Sequence, residues 1–103
     1  MKIISTLSER INEEIHDAKF YAMLAAEVKH DHPALSHVLY TISSQELDHQ
    51  AMLHEQVVKI IEEYRRTHGE PPTNMKAVYD YLHRRSIEKL EEAKRYQEIY
   101  KNS

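Results

Sequence analysis

Two glutamates and a histidine stand in this chain at positions where a helix seam would ordinarily carry leucine or isoleucine. With a strict seven-residue repeat, one stretch reads Leu7, Ile11, Glu14, Ala18, Tyr21, Ala25, Val28, and the next reads Leu35, Leu39, Ile42, Glu46, His49, Leu53, Gln56, Ile60. Both have the alternating four- and three-residue steps of a seam that faces a partner helix. Burying an ionised carboxylate costs several kcal/mol unless something compensates it. Two carboxylates and an imidazole on facing seams therefore need a common partner, and a metal ion is the simplest one. The competing explanation is a buried Glu–His pair that fixes helix register, as polar core residues can. It accounts less well for two carboxylates at one level. Gln56 on the second seam has no assigned role.

The motif Glu-x-x-His is weak by itself. It occurs at Glu13/His16, Glu27/His30 and Glu46/His49, with Asp80/His83 as a near variant, in a chain of eight histidines and 17 acidic residues. Spacing of three residues says only that both side chains share a helix face. Register separates the cases. Turning about 100° per residue from Glu14, Glu13 and His16 point roughly 100° and 160° away, and Glu27/His30 points to the opposite side. Asp80 and His83 fall off the stripe of their own helix. Of these pairs, Glu46/His49 lies on a seam. His30, His32, His37, His54 and His68 read as solvated.

Three helices are needed to position these groups. The first is expected over about residues 6–30, with Ser5 or Thr6 as its cap and Glu9 three residues after Thr6, as in a capping box. Asp31 is expected to cap the second, over about 33–67, with Pro33 in its first turn. The run His68-Gly69-Glu70-Pro71-Pro72 ends it. The third is expected over about 73–101, opened by Thr73 or Asn74, with the weaker stripe Met75, Tyr79, Leu82, Ser86, Ala93, Tyr100 flanked by Val78 and Leu90. The short link at residues 31–32 makes the first two helices an antiparallel hairpin. Counting outward from that link at about 1.5 Å per residue, Glu14 and the Glu46/His49 pair come level to within about 2 Å. Ala18, Ala22, Ala25 and Ala26 read as small residues that let helices approach.

Composition agrees and excludes several classes. The 103 residues amount to a single domain, with one glycine, three prolines and no strand-like alternation, so the fold class is all-α. The 17 acidic and 14 basic residues are interspersed, which argues against a nucleic-acid-binding face. There is no cysteine, hence no disulfide framework, iron–sulfur cluster or thiol nucleophile. The apolar run Ile3-Ile4 is too short for a signal peptide or membrane span. The expectation is a soluble, cytoplasmic protein.

One hairpin supplies one Glu and one Glu-x-x-His, whereas bundle di-iron sites of the ferritin-like class use two of each. The third helix adds nothing equivalent, since Glu88, Glu91 and Glu92 have no histidine three residues on. The economical solution is a twofold dimer that closes a four-helix bundle around the metal. Carboxylate oxygens with a few imidazoles suit Fe(II), and also Mn(II). Tyr21, two turns after Glu14, is either a core aromatic or a hydrogen-bond donor to a seam carboxylate.

These residues resemble a known family. The segment Glu13-Glu14-Ile15-His16-Asp17-Ala18-Lys19-Phe20-Tyr21, followed by Glu46-Leu47-Asp48-His49-Gln50-Ala51-Met52-Leu53, is similar to encapsulated ferritin, a ferritin-like half-bundle. The likeness covers about residues 7–60. It implies a di-iron ferroxidase centre at a dimer interface, with Glu14, Glu46 and His49 as ligands and Tyr21 hydrogen-bonding nearby. It further implies rings of dimers and residence inside an encapsulin-type protein nanocompartment. Glu13 matches an acidic position of the family where metal is first captured, and His16 stands where the family usually has Glu. The chain ends at Lys101-Asn102-Ser103 without the family's compartment-targeting tail, and its last helix is longer. The resulting expectation is an enzyme that oxidises Fe(II) for iron handling or detoxification. The alternative is a non-catalytic helical assembly module whose interface metal is structural.

Overall fold

A computed structural model describes residues 2–103. Three helices account for nearly all of them: α1 Lys2–Val28, α2 Pro33–His68 and α3 Thr73–Asn102. No strand is present among the described residues, so the all-α expectation holds. The molecule is a rod of 55 × 18 × 18 Å, and α2, at 36 residues, runs about 54 Å at 1.5 Å per residue and spans its full length. None of the helices is long and apolar enough to cross a membrane.

The helix ends differ from the sequence expectation in instructive ways. α1 starts at Lys2, before the expected cap, because the Thr6 hydroxyl bonds back to the Lys2 carbonyl (3.1 Å) as a mid-helix threonine does. The helix gains by starting early, since Ile4 is then buried in the core. Asp31 does not cap α2. The N-cap is His32, without a side-chain cap bond, and Pro33 opens the helix where its missing N–H costs nothing. At the far end Gly69 takes φ +78° and donates its N–H to the Arg65 carbonyl (2.9 Å). A side chain there would be strained.

α1 and α2 form the antiparallel hairpin, and small residues let them close tightly. Ala18, Ala22 and Ala25 are fully buried on α1, and Ser36 and Ser43 on α2. Each serine donates its hydroxyl proton across the interface, Ser36 to the Ala25 carbonyl and Ser43 to the Ala18 carbonyl, both at 2.6 Å. Ser43 in turn accepts a bond from the Gln97 side-chain amide of α3 (3.0 Å). Both buried serine hydroxyls and the Gln97 amide N–H are thereby paired, as burial requires.

α3 returns parallel to α1 and packs mainly along it. Ser86 donates to the Asn12 side-chain oxygen (3.0 Å), Lys19 pairs with Glu92 (2.7 Å), and Lys29 donates to the carbonyls of Tyr100 (2.6 Å) and Ser103 (3.1 Å). Contact with α2 is sparser, through a Tyr40–Tyr100 stack, a His54–His83 stack and Gln97. Where α2 and α3 diverge lies a cavity of about 350 Å³, lined by Ile4, Val57, Ile61, Tyr79, Leu82 and His83.

The third helix also moves the buried surface. Its contact with α1 draws Ile15 and Ala22 into the core beside Ile4, Ile11, Ala18 and Ala25. The buried arc is thus rotated from the expected seam, and Glu14 and Tyr21 fall on its edge, partly covered. On α2 the buried set is Ser36, Leu39, Ser43 and Val57, whereas Leu35, His49 and Gln56 of the expected seam are exposed.

Candidate metal centre

The edge of that arc is where Glu14, Glu46 and His49 meet. Each offers one ligand atom, and these atoms all lie within 4.8 Å of one another. The serine latches explain the alignment. Ser43 sits against Ala18 and Ser36 against Ala25, and continuing that antiparallel register brings Glu14 level with Leu47, between Glu46 and His49.

Glu14 and Glu46 are partly covered and His49 is exposed, the Glu14 side chain 12% exposed against 51% for His49. Its two oxygens have different surroundings. Oε1 accepts a bond from Arg10 Nη2 at 3.1 Å. Oε2 is buried, 3.5 Å from His49 Nδ1, and makes no hydrogen bond. An unpaired buried carboxylate oxygen is costly, about 1–3 kcal/mol or more, and such an exception calls for a reason. A cation held jointly with Glu46 and His49 would supply it, and two carboxylates with one imidazole are a donor set suited to a divalent transition metal.

The site also faces away from α3. On α1, Glu14 points roughly 140–160° from Asn12 and Lys19, which touch α3. On α2, His49 points roughly 180° from Tyr40, which stacks on α3. Among the described residues, α3 packs on the other side of the hairpin, and this side carries exposed apolar side chains. Around their helices, Ile3 lies within about 20° of Glu14, Leu35 within about 20° of Glu46 and Val38 within about 20° of His49, and the three are 50%, 48% and 51% exposed.

The remaining expected residues do not join the cluster. Tyr21 shares the face of Glu14, but its ring packs edge-on against Phe20 (5.6 Å), and its hydroxyl makes no hydrogen bond among the described residues. Glu13 pairs with Arg10. His16 lies round the helix, in an open surface hollow with Glu9, Asn12, Glu13, Asp17 and Lys89. Among the described residues, Glu14, Glu46 and His49 are the acid–histidine group with metal-holding geometry. Sequence reasoning passed over Arg10, although its position four residues before Glu14 and three before Glu13 is the spacing of helical ion pairs.

No protein-family model, curated protein or solved structure matches the chain.

Proposed function

We propose that two copies of this chain pair through the uncovered α1–α2 face, closing a four-helix bundle around a shared di-iron ferroxidase centre of the kind found in encapsulated ferritin. The observation that carries this reading is the buried Glu14 Oε2, which makes no hydrogen bond, set beside Glu46 and His49 on a face with exposed apolar side chains. One chain provides two carboxylates and one imidazole, half the ligand inventory of a ferritin-like site. A twofold axis through the face doubles it to four carboxylates and two imidazoles.

In this reading Fe(II) is the substrate. Glu14 and Glu46 bind it and favour the Fe(III) product through their negative charge, and His49 completes the set from the neutral imidazole. Two Fe(II) each give up one electron and, with two protons from solvent, together reduce dioxygen to hydrogen peroxide or hydrogen peroxide to two waters. The face also buries Ile3, Leu35 and Val38 in the dimer, which excludes water from around the ligands and strengthens their electrostatic hold. The resemblance extends the proposal to rings of dimers. Mn(II) fits the same donors.

The test is mass in solution with and without anaerobic Fe(II), followed by aerobic Fe(II) addition monitored by absorbance. A dimer holding two metals, with repeated oxidation, is the expected result. A stable monomer holding two metals, or a dimer joined through α3, would refute the shared site. A single binding event without turnover would leave the metal structural and refute the ferroxidase.

A further inference from the structure

Arg10 stands one turn before Glu14 on α1, and its guanidinium forks between two carboxylates. Nη2 donates to Glu14 Oε1 at 3.1 Å, and Nη1 donates to Glu13 Oε2. Glu14 is largely covered, its side chain 12% exposed, and a second carboxylate, Glu46, offers its ligand atom within 4.8 Å. Two such groups side by side repel one another. Among the described residues, the cations in reach of Glu14 are Arg10 and, when protonated, His49.

We propose that Arg10 is the built-in competitor of the metal for Glu14, and that Glu13 is the partner to which it retreats when metal arrives. This rests on the metal-centre reading above. A divalent ion at Oε2 and a guanidinium on Oε1 of the same carboxylate repel each other, so binding the ion favours Arg10 giving up Glu14. Arg10 does so without losing its charge pairing, because Glu13 already holds the other arm of the fork. Glu13 thus acts on the centre from outside it, by drawing Arg10 away. The device makes the carboxylate pair tolerable in the metal-free chain and sets how tightly metal is held.

Arginine is suited to the task because it stays charged throughout the pH range of a cell and can satisfy two carboxylates at once. Its side chain is 54% exposed, so solvent screens the effect. The expected change on removing its charge is therefore modest, about three- to tenfold in metal affinity. A residue that merely supported the fold would act in the opposite direction, since its loss would loosen the site and weaken binding.

The experiment is Co(II) titration of the full chain, followed by its visible absorption, for wild type, Arg10→Gln, Arg10→Lys, Glu13→Gln and the Arg10→Gln/Glu13→Gln double variant. Arg10→Gln should bind Co(II) about three- to tenfold more tightly than wild type, with Arg10→Lys restoring wild-type behaviour in part. The gain should shrink as salt is raised. Glu13→Gln should bind more weakly, and its effect should vanish in the Arg10→Gln background, which is the coupling that a double-mutant cycle measures. Metal-free Arg10→Gln should unfold at lower denaturant than wild type. Equal or weaker Co(II) binding by Arg10→Gln, or a Glu13→Gln defect that persists without Arg10, overturns the proposal while leaving the metal centre intact. Loss of Co(II) binding in every variant, wild type included, overturns the metal centre itself and this inference with it. Binding by Arg10→Gln where wild type shows none would support both.

Discussion

Glu14→Ala separates a metal centre from a structural Glu–His pair, because the two demand opposite stabilities of the metal-free protein. The substitution removes the buried Glu14 Oε2, which has no hydrogen-bond partner, and so relieves a penalty of about 1–3 kcal/mol. Against this stands the loss of the pair with Arg10, which is worth about 0.3–0.5 kcal/mol for a helical i,i+4 contact with one exposed member. One methylene is also lost, at most about 0.8 kcal/mol, and alanine returns a few tenths through its helix propensity. The balance lies between about zero and a gain of 2 kcal/mol. Breaking a buried ion pair that held the fold together would instead cost about 3–5 kcal/mol. Denaturant unfolding in the presence of a chelator measures the difference directly, and Fe(II) oxidation by absorbance measures the proposed activity. The variant should keep its stability and lose rapid iron oxidation, since each dimeric site forfeits two ligands. A loss of 3 kcal/mol or more on the scale of a broken buried pair, or oxidation at the wild-type rate, would sink the reasoning.

Ser43→Ala should cost about 2–3 kcal/mol, because it removes two buried hydrogen bonds and strands the Gln97 amide. Ser36→Ala, which loses one bond, should cost about 1 kcal/mol; an inverted order in denaturant unfolding would contradict the packing described. Val38→Lys places a charge on the uncovered face, where the residue is half-exposed. It should change monomer stability by less than about 0.5 kcal/mol while abolishing metal-linked self-association, which sedimentation with and without metal would reveal. The hydrogen bond and charge of Lys19 hold Glu92 below the usual carboxylate range, and Glu92 holds Lys19 above the usual lysine value. Since Glu92 titrates lower in the folded chain, its contribution is present above the ordinary carboxylate pKa and fades as pH falls through the depressed value. Glu92→Gln should therefore be less stable than wild type at neutral pH, and the two should converge in acid.

The three helices were legible because their boundaries are written in Gly69, Pro71, Pro72 and Pro33, residues whose backbone chemistry leaves few options. The meeting of Glu14 with Glu46 and His49 was legible too, since heptad phase and distance from the turn constrain it independently. Other features depend on what packs against what, and periodicity alone does not contain that. The buried arc of α1 turned toward Ile15 and Ala22 because α3 lies on that side, and the weak stripe of α3 did not say which helix it would choose. Thr6 and Asp31 are good caps in isolation, but one became an interior residue when Ile4 found the core, and the other yielded its place to His32. Ser36 and Ser43 stand one residue off the expected seam of Leu35 and Ile42 and were passed over, although their seven-residue interval matches that of Ala18 and Ala25. Arg10 was overlooked because ion-pair spacing is common on helices and gains meaning only once Glu14 is known to be partly buried.

The two serine bonds act as an index between α1 and α2. Because they are seven residues apart on both helices, sliding one helix along the other does not give a continuum of tolerable positions. A slip of a few residues would leave both buried hydroxyls facing side chains instead of carbonyls, and a slip of a full heptad would keep one bond at most. The hairpin therefore has one strongly preferred axial setting, and the groups that enforce it contain no ligand atom. Alignment and chemistry are thus assigned to separate residues. The residues at positions 14, 46 and 49 can be exchanged, by evolution or by design, on a scaffold whose register is set elsewhere.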